Sequence, residues 1–141
     1  MNGWYGVDLD GTLALYVTWV SNTHIGEPVP RMLARVKQWL EEKKEVRIFT
    51  ARVHPLDQCI RADTDFSAIR MSLADRALSP DDMMKYDSAI LGVQAIQQWS
   101  RKHVGVVLPV TNLKDYGMIE LWDDRCVQVR PNTGIAVGKQ R

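Results

Sequence analysis

Two aspartates stand two residues apart where a short β-prone run ends, in Tyr5-Gly6-Val7-Asp8-Leu9-Asp10-Gly11-Thr12. A strand turns alternate side chains to one face, so Asp8 and Asp10 leave it together while Leu9 turns into the core. Carboxylates that close repel each other, invite a cation and can hold their pKa values apart. Gly11 opens backbone angles closed to other residues, and Thr12 adds a hydroxyl. Taken alone, the same residues also describe a polar strand end closed by an Asp-Gly turn.

Three more polar clusters follow apolar runs. Thr50-Ala51-Arg52 closes Val46-Arg47-Ile48-Phe49, Lys114 follows Val106–Val110, and Asp123-Asp124-Arg125 closes Met118–Trp122. In open parallel sheets the site forms at the carboxyl ends of strands, so all four clusters would meet on one edge. Together they supply a nucleophile, a proton carrier, a phosphate-binding hydroxyl, a cation and a divalent-metal site, the inventory of phosphoryl transfer. Singly each has a plainer meaning: Thr50 as a capping residue, Lys114 as a solvated lysine, Asp123-Asp124 as a polar turn. Arg52, His54 and Arg125 flank the site and suit either substrate binding or structural ion pairs. His24, His54 and His103 make no histidine metal set, and no Ser-His-Asp arrangement can be drawn.

The elements that must position these groups read as α/β. After the opening strand, Leu13–Val20 is apolar and β-branched and leads to Ser21-Asn22-Thr23-His24 and Gly26. This predicts a small hairpin flap over about residues 13–26. Met32, Leu33, Val36, Trp39 and Leu40 then fall at helical spacing, predicting a helix from about Pro30 to Lys44, followed by a strand over Val46–Thr50. Strand, helix, strand implies a parallel crossover. Residues 56–79 mix apolar and charged positions and read as one or two short helices forming a small lid or insert. Ser79-Pro80-Asp81-Asp82 starts a helix whose core face carries Met84, Ile90, Val93, Ile96 and Trp99, with Gly92 a point of division. The tryptophans and the methionines at helical spacing read as core. Val106–Val110 predicts a strand that Pro109 confines to the sheet rim. Cys126–Val129 predicts a last strand and Lys139–Arg141 a frayed tail.

The totals narrow the field. A chain of 141 residues, 45% hydrophobic and 25% charged, is read as one domain, 1–141. A net charge of +1 gives no electrostatic case for a membrane or nucleic acid as main partner, while a small charged substrate stays open. Two distant cysteines, Cys59 and Cys126, support neither a disulfide framework nor a thiolate metal site, and the start Met1-Asn2-Gly3-Trp4 lacks the features of a signal peptide. A cytoplasmic location is the expectation.

With these motifs in order, the sequence resembles the haloacid dehalogenase (HAD) superfamily, in particular small phosphatase-like members of bacteria and phages. Asp8-Leu9-Asp10-Gly11-Thr12 matches its D-x-D-G-T, Val46–Thr50 its apolar strand ending in Thr or Ser, Lys114 its downstream lysine, and Leu121-Trp122-Asp123-Asp124 its acidic motif. The resemblance runs from about Tyr5 to Val129. It implies a Rossmann-like, open, mainly parallel sheet with flanking helices and a minimal cap. Asp8 would be the nucleophile, forming an aspartyl phosphate, and Asp10 would protonate the leaving oxygen and then deprotonate water. Mg²⁺ would be held by Asp8, the Asp10 carbonyl and the acidic pair, with Asp124 the direct ligand and Asp123 turned toward Lys114 or a water of the ion. Thr50 would bond a phosphoryl oxygen and Lys114 would neutralise charge; Gly11, Thr12, Ala51, Arg52 and Arg125 would line the substrate.

Within that superfamily, members cleaving carbon–halogen bonds lack an acid two residues after the nucleophile, so Asp10 points to phosphate chemistry. About 40 residues separate Asp8 from Thr50, too few for a full helical cap beside the flap and one helix. An open site suits a small phosphorylated substrate, enclosed where needed by a second subunit, or the phosphate end of a larger molecule. Asp123-Asp124-Arg125 is also similar to the triplet of deoxynucleotide phosphatases, which admits a nucleotide or nucleic-acid phosphate end. A binding or regulatory protein of the same fold, with little or no turnover, is the alternative from another class.

Overall fold

The apolar runs that precede the four polar clusters contribute the strands of one parallel sheet in the computed structural model, which describes residues 3–138. β1 is Trp4–Asp8, β2 Glu45–Phe49, β3 Val110–Thr111 and β4 Met118–Trp122. β1 pairs with β2 from Trp4 opposite Glu45 to Asp8 opposite Phe49, and pairs on its other side with β4. Among the described residues the strand order is β3-β2-β1-β4, all neighbours parallel.

That order places the chemistry. The chain lays β2 and β3 on one side of β1 and then crosses back to put β4 on the other. A crevice opens beyond the carboxyl ends where successive connections leave in opposite directions. Here it lies between β1, which ends at Asp8, and β4, which runs directly into Asp123-Asp124.

Three α-helices lie among the described residues: α1 Pro30–Glu41, α2 Phe66–Ala74 and α3 Pro80–His103, with a single 3₁₀ turn at Ala51–Val53. Pro30 occupies the first turn of α1, where a missing N–H costs nothing, and Met32, Val36 and Trp39 are its buried stripe. Trp39 meets Tyr5 edge-on at 5.1 Å and Trp122 at 5.4 Å, so one side chain locks α1 across both acidic strands. The Ser79 side chain accepts the Asp82 N–H at the start of α3, Asp81 and Asp82 occupy its first turn, and Arg101, Lys102 and His103 its last. No helix among the described residues is long and apolar enough to cross a membrane.

Several expectations are corrected. Residues 13–26 form no hairpin ladder: beyond the Ala14–Pro28 bridge the segment is irregular, and Val17 is 94% exposed. At its base Leu15 N–H bonds the Glu27 carbonyl and Val29 N–H the Leu13 carbonyl, and farther out the Ser21 and Asn22 carbonyls are met by Arg52, as described below. α1 ends at Glu41, not Lys44, where Lys43 adopts φ 64°. α3 is unbroken at Gly92, because the packing of Ile90, Val93 and Ile96 outweighs the ~1 kcal/mol that a helical glycine costs. Met84 is not core but 68% exposed, and Met71 is 72% exposed; the inward stripe of α3 begins with Met83 and Tyr86.

The rim strand is present but short. Val106–Leu108 is held by a serine, Ser100 Oγ donating to the Val106 carbonyl at 2.7 Å and accepting the Leu108 N–H at 3.0 Å. Pro109 has no N–H to offer, and pairing with β2 begins only at Val110. Ile60, fully buried, exchanges two 2.8 Å bonds with Val110 and covers the outer side of β3. Cys126–Val129 is not a strand; a lone Val129–Ala136 bridge is its only ladder contact, and Val129 is 52% exposed. The expected tail at Lys139–Arg141 lies outside the described residues.

Candidate active site

At the carboxyl edge, Asp8, Asp123 and Asp124 each turn a carboxylate oxygen inward so that the three atoms lie within 4.8 Å of one another. Two backbone details bring them there. Gly11 has φ +89°, and a Cβ at that position would sit 2.5 Å from Asp124 Oδ2, so glycine serves both the turn and the close approach. Thr12 Oγ1 accepts the Asp124 N–H at 3.0 Å and lies 3.3 Å from Asp8 Oδ2 and 3.4 Å from Asp124 Oδ1. With one hydrogen to give, it donates to one carboxylate at a time.

The crowding raises the pKa of Asp8 from its ordinary 3.8 to about 7. Burial is the largest cause, followed by the charge of Asp123 and a hydrogen bond shared with Asp124, while the Thr12 hydroxyl opposes them. A divalent cation fits this donor set: three carboxylates converge, and their mutual repulsion is what a cation relieves.

Asp10 occupies a different environment. The Arg52 guanidinium binds its carboxylate by two parallel bonds of 2.8 Å, from Nε and from Nη2. Nη1 of the same group donates to the carbonyls of Ser21 and Asn22 at 3.0 Å each, and the Trp19 ring lies 4.8 Å from Cζ. Arg52 is only 8% exposed and commits four N–H bonds to this cluster while the face of its guanidinium lies over the ring. Asn22 completes the attachment, its amide donating to the Ser88 carbonyl at 2.8 Å and the Arg52 carbonyl at 3.2 Å. The flap is thereby fastened to Asp10 on one side and to α3 on the other.

The residues singled out from the sequence fall into three groups. Asp8, Asp10, Thr50, Ala51, Arg52, Asp123 and Arg125 line one cleft of about 880 Å³. Gly11, Thr12 and Asp124 line an adjoining groove that also bears Arg35 and Trp122. Lys114 lies three residues beyond β3, is exposed, and lines neither. Thr50 Oγ1 accepts the Arg52 N–H at 3.2 Å, capping the 3₁₀ turn, and keeps its own hydrogen for another acceptor. None of residues 56–79 lines the cleft.

The far wall of the cleft was not legible in the sequence. It is built from Trp19 and Asn22 of the flap and from Met84, Lys85 and Ser88 of α3. One signal was present: Met83, Tyr86, Ile90 and Val93 keep a strict helical period that leaves Met84, Lys85 and Ser88 on another face.

No protein-family model, curated protein or solved structure matches the chain.

Proposed function

We propose that the chain is a Mg²⁺-dependent phosphomonoester hydrolase of HAD-like, Rossmann-like architecture with a minimal cap. The observation that carries this reading is the convergence of Asp8, Asp123 and Asp124 within 4.8 Å at the ends of adjacent strands, beside a fourth aspartate, Asp10, bound by an arginine. The two acids are sorted into different environments, as a nucleophile and a proton carrier require.

Asp8, Asp124 and Asp123 would hold Mg²⁺, with the Asp10 backbone carbonyl as a further ligand; the ion would supply positive charge against the phosphate and keep Asp8 ionised. A carboxylate oxygen of Asp8 attacks phosphorus and the bond to the leaving oxygen breaks, giving an aspartyl phosphate. Asp10 gives that oxygen its proton, takes one from the water that attacks next, and phosphate leaves with Asp8 regenerated. Thr50 donates its free hydroxyl hydrogen to a phosphoryl oxygen, and Arg125 adds charge at the cleft. Lys114 reaches the phosphoryl group only by moving from its present exposed position. The free cysteines, Cys59 and Cys126, accord with a cytoplasmic location.

The test is hydrolysis of p-nitrophenyl phosphate. Activity should require Mg²⁺, vanish with chelator, and fall on the order of a thousandfold or more in Asp8→Asn. Metal-independent activity, or an active Asp8→Asn protein, overturns the mechanism.

A phosphate-binding protein with little or no turnover is the second reading. It is favoured by one arrangement: both Asp10 oxygens are engaged by Arg52, and Lys114 stands outside the cleft. Binding of phosphate esters without turnover by any of them would establish it.

A further inference from the structure

The cleft is much larger than a phosphoryl group requires. At about 880 Å³ it falls in the range of sites that enclose a whole small molecule, about 300–1,000 Å³. Its acidic floor is at one end, and its outer walls carry two large apolar side chains, Trp19 and Met84, 53% and 68% exposed. Neither belongs to the core.

Trp19 is a prepared surface rather than a loose one. Arg52 stacks on its ring at 4.8 Å and binds the carbonyls of Ser21 and Asn22, two and three residues along. Asn22 in turn is bonded to α3 through the Ser88 carbonyl, and Trp99 Nε1 donates to the Gly26 carbonyl at 2.9 Å where the flap returns. The same guanidinium holds Asp10. One buried arginine therefore sets the distance between the reacting end of the cleft and its aromatic wall. An aromatic ring held in place binds a flat partner without first losing its own freedom.

Charge defines the partner further. Arg125 and Lys85, the latter 3.7 Å from Asp82, are cations at the cleft lining, Arg52 is neutralised by Asp10, and Asp81 adds an opposing charge. That suffices for one phosphate and offers no track for a polyanion.

We infer that the substrate is a small phosphate monoester whose leaving group carries a planar ring, of the kind found in a nucleoside monophosphate, and that Trp19 is the residue that selects it by stacking. This inference rests on the phosphomonoesterase reading and deepens it. Met84 adds apolar surface to the same cleft from α3, and Arg52 is the positioning residue that presents Trp19.

The test compares adenosine 5′-monophosphate with glycerol 3-phosphate, which has no ring, in the Mg²⁺-loaded protein and in Trp19→Ala and Trp19→Phe. The wild type should prefer the nucleotide in kcat/KM. Trp19→Ala should lower the nucleotide-to-glycerol-phosphate ratio about tenfold, mainly through KM, and Trp19→Phe should restore most of it. Equal losses on both substrates, or a Phe variant no better than Ala, overturn the inference while leaving the hydrolase standing. Preference for a 5′-phosphorylated oligonucleotide over the monomer also overturns it. Calorimetric titration of Asp8→Asn with adenosine 5′-monophosphate separates the two readings. Trp19-dependent binding beside a wild type that hydrolyses nothing supports the ring site and removes the catalytic reading; absence of such binding overturns the ring site.

Discussion

Arg52 and Asp10, forty-two residues apart in the chain, are joined by two parallel 2.8 Å hydrogen bonds on a guanidinium whose side chain is 5% exposed. The pair connects the strand end that carries the acids to the flap that walls the cleft, so its loss has consequences at both.

Arg52→Ala leaves Asp10 unpaired and strands the Ser21 and Asn22 carbonyls. Removing one member of a buried pair costs about 3–5 kcal/mol, and the partial exposure of Asp10 places this case nearer 2–3 kcal/mol. Arg52→Lys keeps the charge without the fork and should lose about half as much. Urea denaturation reads both, and equal stabilities for the three proteins would show that the pair holds nothing.

Asp8 makes stability depend on pH in an unusual direction. Its folded pKa of about 7 exceeds its ordinary 3.8, so between those values the folded protein binds the proton more firmly than the unfolded chain. Stability contributed by this group is present below the lower value and is lost as pH rises through about 7. Metal-free protein should lose thermal stability over that window, and Asp8→Asn should lose less. Mg²⁺ binds the ionised form, so its stabilising shift should be larger at about pH 8 than at about pH 5.5. A Mg²⁺ shift independent of pH would contradict this account of Asp8.

Gly11→Ala meets two obstacles, φ +89° and a Cβ 2.5 Å from Asp124 Oδ2. The backbone conformation alone costs a non-glycine residue about 1–2 kcal/mol. Displacing Asp124 should also reduce the Mg²⁺-induced rise in melting temperature, which a purely local turn defect would leave intact.

Gly92→Ala tests the seating of the flap. In an exposed helix this change stabilises by about 1 kcal/mol. Here the new Cβ would fall well inside contact distance of Asn22 Nδ2, the group that ties the flap to α3. Limited proteolysis should therefore cut within the exposed run Leu15–Val20 faster in the variant, without the gain in stability that helix propensity alone would bring. Unchanged cleavage would mean that Asn22 does not fasten the flap.

Where local pattern decides, the sequence alone was sufficient. Period-two burial in β2, the stripe Met32-Val36-Trp39, the Ser79 cap and the rim position enforced by Pro109 follow from backbone geometry and the hydrophobic effect acting over a few residues. Strand ends are equally local, so Asp8, Thr50 and Asp123-Asp124 were identifiable as groups at one sheet edge. Tertiary structure decided what depends on residues far apart meeting. It set how far Leu13–Val20 would find a partner to pair with, which beyond the bridge at Ala14 it does not, and whether Val106–Leu108 would bond to a strand or to Ser100. It gave Gly92 its purpose as room for Asn22 rather than a break in α3. It also paired Arg52 with Asp10 instead of leaving it free for substrate, placed Lys114 outside the cleft, and brought Trp19 and Met84 to its wall. Apart from the helical period that turns Met84 away from the core, those outcomes turn on long-range contacts among side chains, which no spacing along the chain encodes.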